Sequence, residues 1–204
     1  MNTRLLRPWL LALAAPLILA QSNRPGAPVP GTAPPRNVNA GARDLPIDWA
    51  KAQADRRATL QRGEAPRLQR VTPQQLDAAH LPVLLPNTGE MRAQGLVFPR
   101  PHSYAATVNL PDATIEIFGS GRAAPLAPAM EKDLKGRMKL TAAGYLVSDT
   151  EYGQEISLNR YGIAYSVMIT CKAPRTDDRC TKPDFLTALA NQMVMFGGTP
   201  EASP

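Results

Sequence analysis

The chain has 204 residues, which is enough for one domain and a further segment, since domains typically hold roughly 100 to 150 residues. Proline accounts for 21 of them, about twice the average share, so part of the chain is expected to stay outside a packed core. The formal net charge is +6, but the basic residues are not interleaved with stacking aromatics as in nucleic-acid readers. Composition therefore argues against a nucleic-acid partner and favours a partly globular protein.

Residues 1–20 have the layout of a secretory signal peptide. Arg4 and Arg7 are followed by an uninterrupted apolar run from Trp9 to Ala20, the charged-then-hydrophobic order of such segments. A membrane-spanning helix needs about 20 apolar residues, so this run is too short to span comfortably. We expect export to a bacterial periplasm with cleavage at the end of the run. The alternative is an uncleaved anchor in the inner membrane.

Two further segments precede the predicted module. Residues 21–46 contain many prolines and glycines and no aromatic side chain, which predicts a disordered linker because such a segment buries too little apolar surface to order itself. Residues 47–80 are predicted to form a basic helical arm, with one helix capped by Asp48 and a shorter one capped by Thr72. The basic residues of 51–70 would lie in solvent, or would contact an anionic membrane or cell-wall polymer weakly.

Alternation of apolar and polar residues predicts strands within a module at 81–198. Residues 104–110 and 115–118 alternate around a Pro–Asp turn and predict a hairpin. The same period continues from Ile163 to Cys171, and the half-polar second face of that segment predicts a central strand. Shorter strands are expected near residues 144–147 and 156–158.

Helical periods predict two helices that pack on this sheet. One is expected over residues 128–140 and the other over 183–196, where apolar residues recur every three or four positions. The expected fold class is therefore α+β, with an antiparallel sheet of about five strands and two packed helices. Residues 199–204 are expected to form a disordered tail.

Cys171 and Cys180 are the two cysteines of the chain. An exported protein with two cysteines usually pairs them, so we predict a disulfide that staples the loop between the central strand and the last helix. Redox pairs are usually separated by two residues, and zinc requires more ligands than two cysteines supply. The spacing therefore favours a structural bond.

The segment 148–162 is the predicted partner-binding region because it places tyrosine, arginine and acidic residues around turns. Tyrosine and arginine are enriched at binding hot spots. The candidate partner-binding residues are Asp149, Glu151, Tyr152, Arg160 and Tyr161. The alternative is an ordinary polar hairpin in which Arg160 pairs with Glu151 or Glu155.

No catalytic, cofactor or metal motif stands out in the sequence. His80 and His102 are the two histidines, and neither lies at a metal-ligand spacing. The sequence therefore favours a non-enzymatic periplasmic protein that needs no cofactor. We expect its small α+β module to bind another component of the cell envelope or of a secretion machinery.

Two other functions remain open from the sequence. A small envelope hydrolase would use a carboxylate or His102, and a concave pocket that holds His102 or Asp149 beside a second titratable group would favour it. A binder of lipids or small molecules would instead enclose a cavity between the sheet and the helices, lined by Met130, Met138 and Met168.

Overall fold

The computed structural model describes residues 41–123 and 139–201, and all of them belong to one compact unit, Asn39–Pro204. The strands of the described residues are β1 (Arg43–Asp44), β2 (Val83–Pro86), β3 (Leu96–Arg100), β4 (Ser103–Leu110), β5 (Ala113–Ser120), β6 (Arg122–Ala123), β7 (Lys139–Leu140), β8 (Leu146–Thr150), β9 (Gly153–Arg160), β10 (Ile163–Cys171) and β11 (Met193–Gly197). The helices are α1 (Trp49–Gln61), α2 (Pro73–Leu76), α3 (Gly89–Gln94), α4 (Asp178–Thr181) and α5 (Asp184–Asn191).

The fold is α+β, as the sequence predicts, and its main element is a seven-stranded sheet in the order β3-β4-β5-β10-β9-β8-β7. All neighbouring strands in it are antiparallel. The predicted hairpin is β4–β5, and the predicted central strand is β10, the fourth of the seven. The prediction of about five strands missed the two edge strands. β3 contains Pro99 and β7 has only two residues, so neither shows a clear period of two.

The predicted helix over 183–196 is shorter than expected. It ends at Asn191, and Met193–Gly197 forms β11, which pairs with β2. The apolar spacing at Met193 and Phe196 fits a helix, but both side chains are buried in the strand instead. Pairing with a buried strand over 100 residues away in sequence overrides the local period here. The predicted helix over 128–140 lies outside the described residues except for its last two, which form β7.

The helix starts predicted in 47–80 are confirmed, since Asp48 accepts from the Lys51 amide and Thr72 caps α2. This segment nevertheless belongs to the same compact unit as the sheet. Ala52 in α1 and Leu76 in α2 are buried in the common core. The few apolar residues of this segment form only a weak helical stripe. For this reason the sequence analysis predicts a separate arm. The predicted signal segment, 1–20, and most of the predicted linker, 21–40, lie outside the described residues. The last part of the linker contains β1.

The inner face of the sheet carries a row in which a glycine lies between two tyrosines. Gly119 in β5 is opposite both Tyr104 in β4 and Tyr165 in β10. A Cβ at Gly119 would lie 2.5 Å from Cε1 of Tyr104. The absence of a side chain therefore gives room for the two rings, whose centroids are 6.4 Å apart.

The two tyrosine hydroxyls reach from the sheet to the segment that contains β2. The Tyr104 hydroxyl donates to the Leu84 carbonyl and accepts from the Leu84 amide, at 3.1 Å. The Tyr165 hydroxyl donates to the Pro82 carbonyl at 2.9 Å. Because β2 is buried along its whole length, these hydroxyls satisfy backbone groups that water does not reach.

Three tyrosines have raised pKa values in the folded state, and this predicts a loss of stability at alkaline pH. Burial, and then the hydrogen bond to Asp55, raises the pKa of Tyr161 to about 12. Burial raises the pKa of Tyr104 and Tyr165 above the ordinary value of 10.0 as well. The folded state therefore holds protons that the unfolded state releases above about pH 10, so stability is complete below that pH and falls above it.

Each such tyrosine adds a limiting slope of about 1.4 kcal/mol per pH unit to the decline of the free energy of unfolding. Urea unfolding at pH values from about 9 to 12 measures this decline. Tyr161→Phe should show a shallower decline than the wild type up to about pH 12. Equal slopes for the two proteins would contradict the prediction.

Candidate functional site

The disulfide Cys171–Cys180 is present, as the sequence predicts. It joins the end of β10 to α4, and both cysteines are buried. Within the closed loop, Arg179 makes a salt bridge of 2.6 Å with Asp177 and donates to the Pro111 carbonyl in the β4–β5 turn. The disulfide closes the loop, and Arg179 holds the loop against the β4–β5 turn, which is the tip of the predicted hairpin.

The predicted partner-binding residues lie at opposite ends of β9 and do not form one site. Asp149, Glu151 and Tyr152 are at the β8–β9 turn, whereas Arg160 and Tyr161 are at the β9–β10 turn. A strand of eight residues separates the two turns, which is a distance of about 25 Å at the usual rise per residue.

Arg160 and Tyr161 make contacts within the fold. Arg160 Nη1 donates to the Met193 carbonyl at 2.7 Å, and the guanidinium lies 5.5 Å from the centre of the Tyr161 ring. The Tyr161 hydroxyl donates to Asp55 Oδ2 at 2.8 Å. These contacts connect α1 and β11 to the sheet. At the other turn, Tyr152 is 55% exposed.

The outer face of the sheet carries a row of side chains that crosses all seven strands and contains four large apolar residues. Its members stand opposite one another in the register and are Phe98, Ala105, Phe118, Ser166, Ser157, Leu146 and Leu140. We call this set the outer row. Phe98 is 57% exposed and Phe118 is 48% exposed, whereas the side chains of the inner face are buried. The small Ala105 lies between the two phenylalanines, and Ser166 and Ser157 separate Phe118 from the two leucines.

Acidic side chains flank the outer row. Glu116 and Glu155 stand on either side of Met168 in the adjacent row of the same face. These three residues and the two phenylalanines line a shallow concavity of about 420 Å³. Met168 therefore faces outward, which contradicts its predicted place in a cavity between sheet and helices. Met130 and Met138 lie outside the described residues.

Sequence reasoning missed the outer row, although a signal for it was present. Phe118 stands in the polar phase of β5, on the same face as Thr114 and Glu116. A single exposed aromatic residue is common, and it marks an interaction surface only where others lie beside it. The second one, Phe98, lies in β3, which was not predicted as a strand.

The two histidines come together in a second concavity, of about 310 Å³. Its lining includes Asp44, Trp49, His80, His102 and Glu201. His102 Nδ1 lies 3.9 Å from Asp44 Oδ1. The same oxygen accepts a hydrogen bond of 2.7 Å from Arg122 Nε. That bond to the guanidinium lowers the pKa of the Asp44 carboxyl. The sequence did not bring these residues together because they come from four separate segments of the chain.

This concavity has limited chemistry in the described part of the chain. Its lining there contains no serine, threonine or cysteine, so the available nucleophiles are a carboxylate, an imidazole, or a water that His102 would activate as base. His80 Nδ1 is buried without a hydrogen-bond partner among the described residues. No group of three or more metal-ligating side chains is found within residues 41–123 and 139–201.

Comparisons with known proteins give no family. No protein-family model, no curated protein and no solved structure matches this chain. In the ranges 41–123 and 139–201, no helix is long and apolar enough to cross a membrane. The disulfide is compatible with an oxidising compartment.

Proposed function

We propose that this chain is an exported, non-enzymatic interaction module of the bacterial periplasm. Its partner is another protein of the cell envelope or of a secretion machinery, and the binding surface is the outer row. The single observation that carries this proposal is the exposure of Phe98 and Phe118 on one sheet face, at 57% and 48%. The signal-like segment 1–20 and the disulfide support the compartment.

The outer row has the physical properties of a protein-binding surface. One face of an antiparallel sheet commonly lies in water and then carries polar side chains. Here the exposed Phe98 and Phe118 stand in that position with Glu116 beside them, and an exposed apolar patch with a polar rim is typical of an interaction site. Phe98 and Phe118 are separated by the small Ala105 across the register, so a partner side chain could insert between the two rings.

The proposal predicts that polar substitutions in the outer row abolish binding and leave the fold intact. The double variant Phe98→Ser with Phe118→Ser should lose a partner that cross-links in vivo to the wild-type module. Its free energy of unfolding should change by less than about 1 kcal/mol, since exposed positions tolerate substitution. The measurement is cross-linking in the native host followed by mass spectrometry, paired with urea unfolding.

The matched control is Leu60→Ser, because Leu60 is also 48% exposed but lies on α1. This variant should keep the cross-link. The full chain is expressed, so that segment 1–20 can direct export, and residues 47–80 are kept because Ala52 and Leu76 are part of the core. Equal cross-linking of the double variant and of the control would overturn the assignment of the surface.

A second candidate function is a small envelope hydrolase. It is favoured by one observation, the concavity in which His102 stands beside Asp44 and His80. Such an enzyme would hydrolyse an ester, an amide or a glycoside. The variant His102→Ala should lose this activity, and Phe98→Ser should keep it. A purified chain without activity on a panel of these substrates would leave the interaction module as the sole proposal.

A further inference from the structure

The layer of helices on the inner side of the sheet contains an apolar groove of about 330 Å³, within the range of about 300 to 1,000 Å³ that is usual for ligand sites. It lies between α3, the β4–β5 turn and α5. The lining residues that carry the argument are Met91, Val108, Ile115, Arg179, Phe185 and Leu189. It is separate from the outer row and from the concavity at His102.

Apolar side chains form the floor of the groove and part of both walls. Val108 and Ile115, which stand opposite each other in the β4–β5 register, form the floor. Met91 of α3 forms one wall, and Phe185 and Leu189 of α5 form the other. Phe185 is only half-buried although its ring packs against the core. An aliphatic chain in the groove would cover this ring and the adjacent apolar side chains.

One end of the groove carries an arginine in a fixed position. The Nε and Nη2 atoms of Arg179 donate to Asp177, at 3.0 Å and 2.6 Å, and Nη2 also donates to the Pro111 carbonyl at 3.1 Å. No acceptor among residues 41–123 and 139–201 bonds Nη1 of Arg179, so that edge of the guanidinium can meet a ligand. An immobilised guanidinium is well suited to a carboxylate, because little side-chain entropy is lost when the bond forms.

The opposite wall carries Glu90, on α3. Its carboxylate repels an anionic head group, so the polar end of a ligand is favoured at Arg179 and its tail toward Met91. The lining thus specifies a ligand with a single aliphatic tail and one anionic end. Larger lipids with two tails exceed a groove of this volume.

We propose that the groove binds a single-chain carboxylate amphiphile, with its tail over Val108 and Ile115 and its carboxylate at Arg179. This site is independent of the proposed partner-binding surface, so either can fail alone. The occupant is a free fatty acid, because its ionised carboxylate is the group that an esterified acyl chain lacks.

Dodecanoate below its critical micelle concentration is the probe, and calorimetric titration of the chain from residue 21 is the measurement. We expect saturable binding with one site. Ala188→Leu fills the groove from α5 and should weaken binding at least about tenfold. Ala54→Leu, at an exposed alanine of α1, is the matched control and should bind as the wild type does.

The head group is tested by Arg179→Gln, which should weaken dodecanoate binding about tenfold and leave dodecanol binding within about twofold. Thermal unfolding of the unliganded variant checks that the loop remains folded, and Glu90→Gln should strengthen dodecanoate binding. Binding of a dodecanoyl ester that is as tight as that of dodecanoate would contradict the role of the carboxylate and overturn the proposal. Absence of binding to the wild type, or equal binding to Ala188→Leu, would overturn the proposal.

Discussion

Replacing Tyr104 with Phe is expected to lower the free energy of unfolding by about 2 to 5 kcal/mol, because two buried backbone groups lose their partner. The Tyr104 hydroxyl bonds both the amide and the carbonyl of Leu84. Leu84 and Tyr104 are almost completely buried, so water does not replace the hydroxyl. Urea unfolding of the variant, followed by circular dichroism, measures the loss.

Two other tyrosines calibrate this result. Tyr165→Phe removes one bond, to the Pro82 carbonyl, and should cost about 1 to 3 kcal/mol. Tyr145→Phe removes the bond from an accessible hydroxyl to Asn191 and should cost less than about 1 kcal/mol. If Tyr104→Phe lowers the free energy of unfolding no more than Tyr145→Phe does, the Tyr104 hydroxyl does not stabilise the packing of β2 on the sheet.

Removing the disulfide is expected to lower the free energy of unfolding by about 2 to 3 kcal/mol, as chain-entropy arguments give for a loop of about ten residues. Replacing Cys171 and Cys180 together with alanine removes the bond without leaving a lone thiol. Hydrogen exchange should increase first in α4 and at the end of β10, which the bond joins. Chemical unfolding of the two proteins measures the difference.

A reductant provides the control for this experiment. It should lower the unfolding midpoint of the wild type toward that of the double alanine variant and leave the variant unchanged. A wild type that is unaffected by reduction would show that the loop is held by other contacts, such as the bond from Arg179 to the Pro111 carbonyl.

The parts of the fold that the sequence predicts are those in which local pattern and tertiary environment agree. β10 alternates over nine residues, and its alternate side chains are buried on the inner face. The β4–β5 hairpin has a Pro–Asp turn, in which Asp112 takes a positive φ of 59° that aspartate tolerates. The cysteine pair followed from number and spacing, without any knowledge of the fold.

The remaining features depend on contacts that no local pattern encodes. β11 carries a helical period and becomes a strand because β2 offers a buried partner. The five predicted binding residues were grouped by closeness in sequence, but β9 separates them into two turns. The sequence does not predict that His80 and His102 share one concavity, because its lining is completed by two distant segments, around Asp44 and around Glu201.

The intact mass of the protein isolated from a bacterium that produces it naturally is the most direct test of an exported, disulfide-stapled module. After alkylation under denaturing, non-reducing conditions, we predict a chain that lacks residues 1–20 and carries no alkyl group on Cys171 or Cys180. A mass that retains Met1 and shows both cysteines alkylated would contradict export and the function proposed from it.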